Sequence, residues 1–128
     1  MGRLVHFEIH ASDPARLLQF YGTVFGWTGQ QWGDQPYWLL TTGPEDIAGI
    51  NGAITQRRGP PAEDGQAVNS FVNTIDVDDL DATLQDITQS GGSVAVEKMA
   101  VPGVGWLAYG KDPDGNIFGV MQEDPEAD

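Results

Sequence analysis

The order strand, helix, strand, strand, strand is written twice in this chain of 128 residues, and that doubling limits the folds open to it. In the first copy, RLVHFEI (residues 3–9) alternates Val5, Phe7 and Ile9 with His6 and Glu8, the pattern of a half-buried strand. Ser12-Asp13-Pro14 supplies an N-cap and a proline at the first helical position, ahead of ARLLQFYGTVF with Leu17, Tyr21 and Val24 at helical spacing. Gly26 stops that helix, and short aromatic or β-branched runs near residues 27–32, 36–42 and 48–55 predict three strands. In the second copy FVNTIDV is the strand and DDLDATLQDITQSGG the capped helix, with Leu80, Leu84 and Ile87 on one face. Strands near 93–99, 104–110 and 116–122 complete it, the last preceded by the turn DPDGN.

Laying residues 6–56 on 72–122 without a gap pairs nine identities, among them Asp13/Asp79, Gly26/Gly92, Pro36/Pro102, Gly49/Gly115 and Gln56/Gln122. Composition alone would supply roughly three or four. The apolar faces of the two first strands also agree: Val5, Phe7 and Ile9 against Phe71, Ile75 and Val77. The expected class is α+β, with two tandem βαβββ modules forming a cupped mixed sheet and the helices outside. Module 1 is expected over 3–55, a Pro, Gly and charge-rich linker over 56–68, module 2 over 69–122 and an acidic tail over 123–128, all one domain.

If each helix covers one sheet face, the alternate residues line the other. That set is His6, Glu8 and His10; Asn51, Ala53 and Thr55; Val72, Thr74 and Asp76; and Ile117, Gly119 and Met121. Such a mixture is too polar for a dry core and predicts a concave pocket with a few convergent polar groups. Of the aromatics Trp32, Tyr37, Trp38, Trp106 and Tyr109, the two expected to form stacking walls for a flat ligand are Trp38 and Trp106. Glu8, a carboxylate in a partly apolar setting, is the candidate general base.

Nineteen acidic against six basic residues give a formal charge of −13, which repels nucleic acid and anionic lipid, so neither is an expected partner. The chain has no cysteine, and neither a signal peptide nor an apolar membrane span is readable. A cytoplasmic protein is expected.

VHFEIHASDPARLLQFYGTVFGW, VDDLDATLQDITQSGGS and VPGVGWLAYGKDPDGNIFGVMQ resemble the vicinal oxygen chelate superfamily, which includes glyoxalase I, bleomycin-resistance proteins and extradiol dioxygenases. The likeness is nearest to small glyoxalase-like members of undefined substrate. It implies paired βαβββ modules, a homodimer, and in the metal enzymes a divalent ion held by the first and last strand of each module. On this chain those positions are His6, Ala53, Val72 and Gly119, of which only His6 has a donor atom.

On a strand, His6 and Glu8 lie about 6.6–6.8 Å apart and His10 about 13 Å from His6, so the strand alone brings at most two ligands to one ion. Catalytic and structural zinc sites use three or four. The expectation is a small-molecule binder with a degenerate metal site and no bound cofactor, lined by His6, Glu8, Trp38, Asn51, Ala53, Val72, Thr74, Trp106, Gly119 and Met121. The competing expectation is a metal-dependent lyase, isomerase or dioxygenase working through His6 and Glu8 with a divalent metal. Lactoylglutathione lyase activity is not expected, given three missing ligands.

Overall fold

The computed structural model describes residues 2–128. It divides at Pro61/Ala62 into two compact units, each a βαβββ module with its own four-stranded mixed sheet. The architecture is α+β, and each sheet is open at its edges.

In the first unit β1 (Glu8–Ala11) leads into α1 (Pro14–Phe25), followed by β2 (Thr28–Gln31), β3 (Tyr37–Thr41) and β4 (Gly52–Gln56). The sheet order is β1-β4-β3-β2, with β1 parallel to β4 and the other pairs antiparallel. A parallel pair needs a long crossover, and α1 is its first part. Asp13 caps that helix by accepting from the backbone N–H of Arg16, Pro14 occupies its first turn, and Gly26 closes it at φ 76°, a left-handed geometry that suits glycine. Leu17, Phe20 and Tyr21 are buried on the side of α1 that meets the sheet, together with Ile9, Ala11, Leu40 and Ile54. Tyr21 stacks on Trp27 with ring centroids 5.0 Å apart, and Phe7 lies 5.8 Å from the same indole.

In the second unit β5 (Thr74–Asp76), α2 (Leu80–Gln89), β6 (Ser93–Val101), β7 (Gly105–Lys111) and β8 (Ile117–Glu123) repeat the plan in the order β5-β8-β7-β6. Asp79 caps α2 as Asp13 caps α1, accepting from Ala82 N–H. Leu80, Ile87, Ala108, Phe118 and Val120 form the core.

The register shows how far the duplication extends. Glu8 pairs with Ala53 and Thr74 with Gly119, so the first and last strands of the two units correspond at the offset of 66 read from the sequence. The final glutamines keep related tasks: Gln56 donates to the carbonyls of Ala11 and Ser12, and Gln122 accepts from Leu80 N–H, each tying the last strand to the entry of the helix. The third strands do not follow that offset. Leu39 is opposite Ala53 and Tyr109 opposite Gly119, a separation of 70, because β6 has nine residues where β2 has four. Pro36 and Pro102 are therefore not equivalent.

The first strand of each module is shorter than expected: β5 covers only Thr74–Asp76 of FVNTIDV, and Phe71 is exposed. The opening strand is shorter than its alternation predicts: it begins at Glu8, and Val5 is 78% exposed instead of covered by the helix. Its partner β4 starts only at Gly52, and the ladder's first bond runs from Ala53 N–H to Phe7 C=O. The acidic tail folds back on the β6–β7 turn. Asp124 N–H donates to Val104 C=O, Gly103 N–H donates to Ala127 C=O, and Ala127 is buried.

The β7–β8 turn is organised by Asp112, the one polar residue buried among the described residues. Its carboxylate accepts from the backbone N–H of Asp114 and Asn116 and from the Asn116 side-chain amide, at 2.9–3.0 Å. Removing it takes the acceptor from three part-buried N–H donors, so Asp112→Ala should cost about 1–3 kcal/mol in urea denaturation. An unchanged midpoint would show that the turn closes without it.

Candidate functional site

Each sheet has one face under its helix and one free of it, and strand pairing assigns side chains to these faces because directly opposed residues point the same way. In the first unit the helix-free face carries Glu8, Ala53 and Leu39 in one row and His10, Thr55 and Tyr37 in the next. The alternate row, Ile9, Ile54 and Trp38, belongs to the helix side. Glu8 and Ala53 thus share the face predicted for them, whereas Trp38 is on the opposite one.

Tyr37 is the centre of a polar chain on the helix-free face. Its hydroxyl donates to Glu8 Oε2 at 3.1 Å and lies 2.8 Å from His6 Nε2. His10 Nε2 stands 3.8 Å from the other carboxylate oxygen of Glu8. His6 precedes the ladder, so strand periodicity alone does not hold it beside Glu8; the tyrosine bridges the two. Trp32, 62% exposed, sits edge-on to Tyr37 with centroids 6.1 Å apart. Asn51 is committed to its own loop, where its side-chain oxygen accepts from Thr42 N–H at 2.9 Å.

The helix-free face of the second unit is largely apolar. Thr74, Gly119 and Tyr109 form one row with Val96, and Asp76, Met121 and Leu107 the next with Met99. Thr74, Gly119 and Met121 therefore share a face, with half-exposed Val72 just ahead of β5. Trp106 is opposite Gln122 on the other side of β7. Its indole N–H donates to Asp124 at 3.0 Å, and Lys98 Nζ lies 5.0 Å from the ring centre. That indole bond, followed by one from Glu126 N–H, holds the Asp124 carboxyl below its ordinary value. Tyr37 and Tyr109 occupy the faces on which the two tryptophans were expected. The available signal was parity: each tyrosine is an odd number of residues from its neighbouring tryptophan.

The four positions at which the family resemblance seats a metal can be tested one unit at a time. In the first, His6 offers its imidazole, already engaged by Tyr37, and Ala53 offers a methyl group. In the second, Val72 has no donor, and a Cβ built on Gly119 would meet Thr74 Oγ1 at 3.0 Å and Tyr109 Cε1 at 3.3 Å. The space a ligating side chain would need at 119 is already tightly bounded. Among the described residues no group of three or more His, Asp or Glu is placed to hold a metal ion. The donor set does not fit a divalent ion.

Burial first, then the hydrogen bond to Glu8 and its charge, push the Tyr37 hydroxyl above its ordinary value of 10.0. A proton held more tightly in the folded than in the unfolded chain stabilises the fold below about pH 10, and this contribution is lost as pH rises through the higher folded value. Tyr37→Phe should therefore lose less stability than the parent between about pH 9 and about pH 11 in paired urea titrations. Parallel alkaline limbs would exclude Tyr37 as their source.

Comparison with known proteins agrees with this architecture. A protein of Mycobacterium bovis provisionally named glyoxylase CFP32 is 30% identical over 128 residues, a match covering 98% of this chain and 46% of that protein. The chain thus spans about half the length of that curated relative. A glyoxylase-like domain-containing protein of Didymella fabae is 28% identical, covering 93% of this chain and 92% of its own. Among solved structures, a variant of the fosfomycin resistance protein FosX from Listeria monocytogenes, complexed with Mn(II) and a dihydroxypropylphosphonic acid, has a TM-score of 0.73 at 17% identity. That likeness covers 97% of this chain and 92% of FosX. A glyoxalase I variant from Zea mays scores 0.67 at 24% identity, over 94% of this chain and 45% of its own. At these identities the structural likeness is one of fold. The family model described as Glyoxalase/Bleomycin resistance protein/Dioxygenase superfamily matches residues 3–120, and the chain belongs to that superfamily.

Proposed function

We propose that this chain is a binder of a small, flat organic molecule, using the helix-free sheet face on which His6, Tyr37 and Glu8 are joined, with a metal position that has lost its donors. The observation carrying the proposal is the Tyr37 hydroxyl, within hydrogen-bond distance of both the imidazole and the carboxylate beside an exposed indole. A few placed polar groups beside an aromatic side chain are one element of small-molecule sites. In the second unit, taken by itself, Val96, Met99, Leu107 and Met121 lie in apolar rows on the helix-free face. Thr74 and Gly119 border these residues, and Val72 leads into them.

Of the groups in this set that could take a proton, Glu8 already accepts from Tyr37 and stands 3.8 Å from His10 Nε2, and His6 Nε2 is engaged by Tyr37. Binding, and not proton abstraction, is the role we assign Glu8. The reading also takes the protein as a cytoplasmic homodimer.

A tryptophan-fluorescence screen of planar compounds should yield a saturable ligand, with Trp32 as the reporter nearest Tyr37. Tyr37→Phe should weaken that ligand roughly threefold to tenfold, the range of one hydrogen bond. A flat screen would count against the proposal. In the same preparation, metal analysis after dialysis should find far less than one divalent ion per chain. A stoichiometric ion lost on His6→Ala would restore the metal-dependent lyase, isomerase or dioxygenase.

A further inference from the structure

The Tyr37 hydroxyl has one proton and two neighbours. The Glu8 carboxylate accepts the hydrogen bond from that hydroxyl at Oε2. The tyrosine oxygen is then left to accept from His6, 2.8 Å away, which requires a proton on His6 Nε2. The alternative, with Tyr37 donating to the imidazole, would set the carboxylate lone pairs against those of the hydroxyl at 3.1 Å. Two bonds thus determine a tautomer. In neutral imidazole the proton on Nε2 leaves Nδ1 as an acceptor, and His6 has no other partner among the described residues.

We infer that Tyr37 is a specificity-determining residue, holding His6 as its Nε2–H tautomer beside the Glu8 carboxylate, so that the ligand taken here is a flat aromatic bearing hydrogen-bond donors, such as an amidinium. The inference rests on the binding reading above and narrows it to a chemical class. His6 Nδ1 and the Glu8 oxygens accept, the tyrosine's only proton is already used, and Trp32 offers its ring beside Tyr37. A ligand presenting an anionic group would meet the Glu8 charge with no free donor from His6 or Tyr37 to compensate. A cationic donor gains from the same charge and from the formal net charge of −13.

The first test concerns the tautomer alone. Nitrogen NMR of the full chain at about pH 8, above the ordinary imidazole range, should find His6 protonated at Nε2 and bare at Nδ1, a preference that Tyr37→Phe relaxes. A native His6 protonated at Nδ1 overturns the inference without touching the binding reading. The second uses two ligands of matched shape, benzamidine and benzoate, read by tryptophan fluorescence. Benzamidine should bind at least about tenfold more tightly, and Glu8→Gln, which keeps the side-chain size, should bring the two together. Equal affinities, or a preference for benzoate, would overturn the donor-ligand assignment while leaving a binder of planar molecules in place. Failure of both, alongside a flat general screen, would remove the binding reading as well.

Discussion

The pairing of the first strand with the last in each module is the contact on which the rest depends. It is a parallel ladder between segments about forty-five residues apart, and a parallel pair cannot be closed by a tight turn. The chain must leave the sheet, cross as a helix, and return to supply the middle strands. Once Glu8 is opposite Ala53 and Thr74 opposite Gly119, the helix has one face to cover, and alternation sends every second side chain to the other. The glutamines at the ends of β4 and β8 reinforce the closure by bonding to the backbone where each helix begins.

The same ladder explains why similar frames carry unlike chemistry. On the helix-free face of the first unit, an imidazole, a phenol and a carboxylate share protons around Tyr37. On that of the second, Val96, Met99, Leu107 and Met121 provide apolar surface, and Tyr109 lies close to Gly119. Duplication preserved the backbone pairing while the exposed rows diverged. Buried rows are constrained by packing on the helix, whereas the other rows are constrained only by what they meet. The side chains of Ala53, Val72 and Gly119 do not contribute to pairing, so what stands at those positions leaves the ladders intact.

Secondary structure and the two-module plan were legible because they depend on local pattern and sequence periodicity. Asp13 and Asp79, each followed three residues later by the N–H it caps, mark both helices, and the sheet strands fall near the expected runs. Legibility ended where pairing partners decide. Val5 has the alternation of a strand residue yet lies outside the ladder, since β4 has not yet begun opposite it. Trp38 and Trp106 have the size and position of ligand walls but the wrong parity, which cannot be counted until Ile54 and Gln122 are known to oppose them.

By itself the sequence determined the class, the doubling, the helix caps and the strong negative charge, because composition and nearest-neighbour spacing carry all of these. Only tertiary structure decided that Tyr37 joins His6 to Glu8, that Tyr109 bounds the space at Gly119, and that the acidic tail is tied to Trp106. Those contacts join residues brought together by register. A four-residue difference between the modules, invisible in a gapless comparison, sets which side chains meet.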